Sequence, residues 1–146
     1  MIKKINIYYY LILVFIISLI LRLINIENFG LWQDELHTFF NVDPRIGNTD
    51  TFDRLAGLNG LYHREDNTVL YFFVLKYFLF FFDYTPFHAK ILNIILGSFV
   101  PIIVYFICKD FITKKISLFC SFFVGINIFL IHQSQELRPS IFVVLI

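Results

Sequence analysis

The chain has 146 residues, of which 58% are hydrophobic and 20% aromatic, and its mean hydropathy of +0.74 is typical of a membrane protein rather than a soluble domain. Its net charge of +1 hides an asymmetry, because nine of the eleven acidic residues lie between positions 27 and 83. The sequence contains no basic tract suited to nucleic acid, and two isolated cysteines exclude a disulfide framework.

The first predicted element is a transmembrane helix over residues 7–24, preceded by Lys3 and Lys4. The alternative is a secretory signal peptide, which also has a basic start and an apolar core. However, no small-residue cleavage site follows, and Arg22 stands where a snorkelling side chain would mark the end of a span. We therefore expect a retained span, with the two lysines placing the N-terminus in the cytoplasm.

Residues 25–87 form a predicted external loop. Its polar part contains glycine and proline turn signals, and we expect short helices over 36–42 and near 51–58. The stretch 68–82 is nearly continuous aromatic and aliphatic, but it is shorter than the roughly 20 residues that a span needs. The sequence therefore predicts an interfacial helix there, lying along the membrane.

Charge parity supports this arrangement. A good span over 88–108 precedes a lysine-rich link at 109–115, and the positive-inside bias favours a cytoplasmic position for these lysines. Counting the crossings from the cytoplasmic N-terminus, the link reaches the cytoplasm only if the stretch 68–82 does not cross the membrane. A further span over 113–132 then returns outward, and a polar link leads to another that begins at 139 and is truncated at 146. Because the chain stops inside an apolar run, we expect it to be the N-terminal part of a longer protein, inactive alone.

Two adjacent carboxylates, Asp34 and Glu35, follow the first span. An ionisable residue at a membrane boundary is a functional-site hypothesis by default. The alternative is a pair of solvated acids at the N-terminus of a short helix. The predicted number of membrane crossings brings Lys90, Glu136 and Arg138 to the same external face as the two carboxylates. There a carboxylate could act as general base and the cations could neutralise a phosphate. Alternatively, Glu136 and Arg138 pair only with each other and Lys90 snorkels.

Four motifs occur in order: Leu-Trp-Gln-Asp-Glu at 31–35, Asn-Thr-Val-Leu-Tyr-Phe-Phe-Val-Leu-Lys at 67–76, Ala-Lys-Ile-Leu-Asn-Ile-Ile-Leu-Gly at 89–97 and Gln-Ser-Gln-Glu-Leu-Arg at 133–138. In this order they resemble the membrane-embedded GT-C glycosyltransferases of the protein-mannosyltransferase, aminoarabinose-transferase and rhizobial-core-transferase group. The first and last motifs are the specific ones.

The resemblance implies an all-α, multi-pass membrane enzyme, most often of the bacterial inner membrane. Such enzymes transfer a sugar from a polyprenyl-phosphate donor to a lipid, glycan or protein acceptor at the external or periplasmic face. Lys90 stands where the family has arginine, which keeps the charge but loses the bidentate fork, and Asn67 stands in place of a histidine. The implied roles are catalysis by Asp34 and Glu35, donor-phosphate binding by Lys90 and Arg138, and support from Glu136, Gln135 and Asn67.

No cofactor is demanded by the sequence. Mg²⁺ or Mn²⁺ could bind oxygen ligands from Asp34 and Glu136, with Glu35 and His37 nearby, but no tight spacing of His and Asp requires a metal. The alternative function is a membrane transporter or a non-catalytic membrane subunit. A transporter would place polar residues near mid-membrane, often at broken helices, whereas these cluster at one face, which favours the transferase.

Overall fold

The computed structural model describes residues 7–24, 26, 30–57 and 69–145, and within these ranges the protein contains helices and no strand. The expectation of an all-α fold is confirmed. In chain order the helices are α1 (Ile7–Leu23), α2 (Gln33–Asn41), α3 (Asn48–Leu55), α4 (Val69–Phe81), α5 (Pro86–Cys108), α6 (Lys114–Gly125), α7 (Ile128–Gln135) and α8 (Ser140–Leu145).

The helices α1, α4 and α5 begin and end within two residues of the predicted boundaries. By contrast, α2 and α3 each begin three residues earlier than expected. The early start of α2 has a local cause: the Glu35 carboxylate Oε2 accepts a hydrogen bond of 2.9 Å from the backbone N–H of Trp32, which satisfies a donor left open at the helix start.

The predicted span at 113–132 is broken. The chain bends by 51° between α6 and α7. The Asn127 side chain caps α7 by accepting a hydrogen bond of 3.1 Å from the Leu130 N–H. The predicted polar link after this span is helical in its first part, because α7 continues through Gln135. The link proper is 136–139, and it starts where Glu136 takes an extended backbone conformation.

The helix α5 is the centre of the molecule, and α1, α4, α6, α7 and α8 all pack against it. It has 23 residues and, in the described part of the chain, is the one unbroken helix long and apolar enough to cross a membrane. The pair α6 and α7 also passes this test when taken as one bent span, whereas α1 and α4 are shorter apolar helices.

Arg22 does not snorkel, contrary to the sequence prediction. Its side chain is fully buried, and its Nη1 donates to the carbonyl oxygens of Gly125 at 3.0 Å and Ser18 at 3.1 Å, as well as to the Ser18 hydroxyl. Gly125 is the last residue of α6, so its carbonyl oxygen has no N–H from a following turn of the same helix to accept from. Arg22 therefore caps α6 at the break and joins it to α1.

The helix α2, which carries Asp34 and Glu35, is fixed from its other end. The Tyr84 hydroxyl donates to the carbonyl of Phe39 at 2.8 Å, and the two rings stack at 4.2 Å between centroids. Burial raises the pKa of Tyr84 to about 12, so this phenol keeps the proton that it donates. The contact holds the last turn of α2 against the turn that precedes α5.

The helices α5 and α7 approach closely at Gly97. A Cβ atom at this position would lie 2.6 Å from the Ser134 Cβ and 3.1 Å from the Arg22 Nε, and a contact under 3 Å forces one of the helices to shift. Glycine is thus required at 97 by packing rather than by its backbone conformation.

We expect Gly97→Ala to lower the free energy of unfolding by about 1–2 kcal/mol, since overpacking costs about 1–3 kcal/mol and the better helix propensity of alanine offsets about 0.5–1 kcal/mol of it. Chemical unfolding in detergent micelles, followed by the fluorescence of Trp32, measures the difference. Gly30→Ala is the matched control and should be nearly neutral, because no atom lies within 4 Å of its added Cβ. Equal stability of the two variants would contradict the packing argument.

Candidate functional site

A groove of about 880 Å³ opens between α2 and the start of α8, and we call it the α2–α8 groove. One part of its lining is apolar, and the other carries two charged and several polar side chains. Its lining residues are Gln33, Asp34, Leu36, His37, Thr38, Phe40, Arg138, Pro139, Ser140 and Val143.

Asp34 and Arg138 meet at this groove although 104 positions separate them in the chain. The Arg138 Nη2 donates to the Asp34 Oδ2 at 2.8 Å, and the two side chains remain 42% and 73% exposed, respectively. The Arg138 Nε is buried and has no hydrogen-bond partner among the residues described, since the nearest Glu136 oxygen is 3.7 Å away. Arg138 thus keeps donor capacity beyond its bond to Asp34.

The backbone that carries Arg138 is clamped at three consecutive residues. The buried Asn93 side chain on α5 donates through Nδ2 to the carbonyl oxygens of Glu136 at 2.6 Å and Arg138 at 2.9 Å. Between them, the N–H of Leu137 donates to the Glu35 Oε1 at 2.6 Å, and the Leu137 side chain is fully buried. These contacts from α5 and α2 fix where the arginine leaves the main chain.

The two adjacent carboxylates therefore face different environments. Neighbouring residues on a helix point in different directions, and the structure turns Asp34 to the groove and Glu35 to the interior. The Glu35 side chain is 1% exposed, and the Lys90 Nζ lies 3.8 Å from its Oε1. Glu35 does not line the groove: its oxygens hold the start of α2 and the amide of Leu137.

Lys90 does not line the groove either. Its side chain is 4% exposed, and it borders a separate chamber of about 50 Å³ together with Glu35, Trp32 and Glu136. It neither snorkels outward nor projects into the α2–α8 groove. Lys90 lies beside the buried carboxylate of Glu35, and its contact with a donor phosphate stays a prediction.

The supporting residues of the second link also have defined positions. Glu136 contacts the His132 Nδ1 at 3.2 Å and the Arg138 Nε at 3.7 Å, so it does pair with its arginine neighbour. The Gln135 side chain donates to the carbonyls of Arg22 at 3.0 Å and Ile24 at 2.9 Å, which ties the end of α7 to the end of α1. The remaining candidate, Asn67, lies outside the described residues.

The side chains that the sequence offers as metal ligands contact other side chains of the protein. Across residues 7–24, 26, 30–57 and 69–145, no group of three or more His, Cys, Asp or Glu residues is arranged to hold an ion. The two expected ligands, Asp34 and Glu136, both contact the Arg138 guanidinium. In addition, the His37 Nδ1 is engaged by the Asn41 side chain at 3.3 Å. Binding of Mg²⁺ or Mn²⁺ stays a prediction.

The prediction from the sequence missed Asn93. This residue holds two carbonyls of the 136–139 link that carries Arg138, which we call the arginine link. A signal was present, because an amide inside an apolar span is costly unless it is hydrogen-bonded. It also missed Thr38 and Ser140 in the groove. Since residues three and four apart share a helix face, the position of Asp34 already indicated that His37 and Thr38 would lie beside it.

Comparison with protein-family models, with curated proteins and with solved structures gave no match. The function of the protein is therefore inferred from the geometry of the groove and from the motifs of the sequence.

The different environments of the two carboxylates predict different effects of the same chemical change. We expect Glu35→Gln to lower the free energy of unfolding by about 2–4 kcal/mol, because the amide would present a donor to a backbone donor and would remove the charge beside Lys90. Asp34→Asn should change it by less than about 1 kcal/mol, as for other exposed ion pairs. Unfolding in detergent micelles measures both, and the reverse order would show that the carboxylates are misassigned.

Proposed function

We propose that this chain belongs to a multi-pass membrane glycosyltransferase of the GT-C type. It transfers a sugar from a polyprenyl-phosphate donor to a hydroxyl or amine of a lipid, glycan or protein acceptor at the outer face of the membrane. The observation that carries the proposal is the α2–α8 groove, in which a carboxylate from one loop and an arginine from another meet beside an apolar wall.

The groove offers what a lipid phosphate needs. Its volume of about 880 Å³ lies within the range of pockets that enclose a small ligand. The Arg138 guanidinium can hold phosphate oxygens through two parallel hydrogen bonds, and Leu36, Phe40 and Val143 provide apolar contact for the first isoprene units. Arg138, rather than Lys90, is thus assigned to the donor phosphate.

Asp34 is assigned as the general base. Transfer requires removal of a proton from the acceptor while the bond between the sugar and the phosphate breaks. Asp34 is the carboxylate that lines the groove and reaches Arg138, so it lies next to the place assigned to the phosphate. Glu35, by contrast, is a positioning residue that acts through Leu137.

The membrane arrangement follows from charge. We propose that α1, α5, the pair α6 and α7, and α8 span the bilayer, while α2, α3 and α4 lie at the outer face. Lys109, which follows α5, and Lys114 and Lys115, at the start of α6, are exposed, and the positive-inside bias places them in the cytoplasm. The groove then lies toward the opposite end of α5, a helix about 35 Å long.

A transporter is the alternative, and one observation favours it. The break between α6 and α7, with the buried Arg22 at its centre, is the kind of discontinuous helix around which transporters bind their substrates. However, Arg22 is fully buried, and it lines neither of the two cavities described above. Asp34 and Arg138, by contrast, are accessible and line the groove, which supports the transferase.

The phosphate assignment predicts that Arg138→Gln weakens the binding of farnesyl phosphate by about 10- to 150-fold, the loss of a charge-assisted hydrogen bond of about 1.5–3 kcal/mol. Titration of the purified full-length protein, followed by Trp32 fluorescence, gives the dissociation constant. Arg45→Gln is the matched control, since Arg45 also forms an exposed ion pair, with Asp43. Inorganic phosphate should bind more weakly than farnesyl phosphate, and equal binding of the two would contradict a lipid donor.

The base assignment predicts that Asp34→Asn lowers turnover by about 10²- to 10⁴-fold, the usual contribution of a general base. Turnover is measured as release of farnesyl phosphate from a panel of farnesyl-phosphate-linked sugars by the full-length protein. Asp43→Asn removes a carboxylate of another ion pair and should leave turnover unchanged. Normal transfer by Asp34→Asn would exclude Asp34 as the base.

A further inference from the structure

We propose that the ion pair between Asp34 and Arg138 is exchanged when a phosphate ester enters the groove, so that both carboxylate oxygens of the base are open to the acceptor only after the donor has bound. Arg138 turns its donors from the carboxylate to the phosphate, and Asp34 is released toward the acceptor. The inference rests on the proposed function and adds to it an order of events at the same site.

The pair has the properties of a contact that can be exchanged. Its side chains are 73% and 42% exposed, and a single hydrogen bond of 2.8 Å joins them. An exposed pair of this kind contributes little to stability, whereas hydrogen bonds from arginine to phosphate are among the strong ones. The Arg138 Nε is buried, has no hydrogen-bond partner among the residues described and lies 3.7 Å from the Glu136 Oε2, so it becomes a second donor for the phosphate only when the guanidinium turns.

The surrounding structure confines the exchange to the two side chains. On one side, Asn93 and Glu35 hold the backbone from Glu136 to Arg138. On the other side, the Thr38 hydroxyl donates to the carbonyl of Asp34 at 3.2 Å within α2. The phosphate therefore competes with Asp34 for the guanidinium without any rearrangement of the helices.

The transfer of the sugar to the acceptor needs no further reactant. After the exchange, the Asp34 carboxylate takes the proton of the acceptor hydroxyl, and the acceptor oxygen forms a bond to the anomeric carbon. The bond between that carbon and the phosphate oxygen breaks, and its electron pair stays on the phosphate, whose added charge Arg138 holds. Before the exchange, the Asp34 Oδ2 is engaged by Arg138, and after it both carboxylate oxygens are open to the acceptor.

The test is a double-mutant cycle on binding of farnesyl phosphate to the purified full-length protein, with Trp32 fluorescence as the readout. We expect Asp34→Asn to bind about two- to fivefold more tightly than the unmodified protein, because the competitor for Arg138 is gone and an exposed pair corresponds to a factor of this size. In the Arg138→Gln background, the same Asp34→Asn change should give no gain. Asp43→Asn is the charge-matched control and should bind as the unmodified protein does.

The possible outcomes distinguish failure of the ion-pair exchange from failure of the proposed function. If farnesyl phosphate does not bind the unmodified protein, or if Arg138→Gln binds it equally well, the proposed function fails. If Arg138→Gln weakens binding but Asp34→Asn does not tighten it, the exchange is overturned while the phosphate site remains. If the gain persists in the Arg138→Gln background, it reflects repulsion between Asp34 and the phosphate, and the exchange is again overturned.

Discussion

The buried carboxylate of Glu35 is the contact on which the rest of the site depends. It accepts one hydrogen bond from its own helix start, at Trp32, and one from Leu137, 102 positions further along the chain. A carboxylate in the interior is stable only when its lone pairs are engaged and a positive charge is near, and Lys90 supplies the charge. Because both hydrogen bonds end on one side chain, the position of α2 and that of the arginine link are set together.

Local structure could be predicted from the sequence. The long apolar runs predicted α1, α4 and α5 to within two residues, since helix length and apolar content are properties of the sequence itself. The break in the next span was less visible. Gly125 and Asn127 were its only local signs, and the break is stabilised by Arg22, a residue 103 positions away. A contact of this kind cannot be read from the residues that it stabilises.

The candidate site was predicted in part. Charge parity brought Asp34 and Arg138 to one face, and the structure places them in contact. The directions of Glu35 and Lys90 could not be predicted, because the choice of which adjacent acid turns inward depends on the backbone amide of Leu137. An amide inside an apolar span indicates that Asn93 needs hydrogen-bond partners, but not which ones, because those partners are carbonyl groups of a distant link.

The bend between α6 and α7 has a consequence for the bilayer in the membrane arrangement that we propose. Twelve and eight residues rise about 18 Å and 12 Å along their own axes. With α6 along the membrane normal and α7 inclined by 51°, the two helices rise roughly 25 Å together, and the two residues between them add about 3–6 Å. The bent pair then just matches the hydrocarbon thickness of about 30 Å, which would set the 136–139 link, and with it Arg138, at the level of the lipid phosphates.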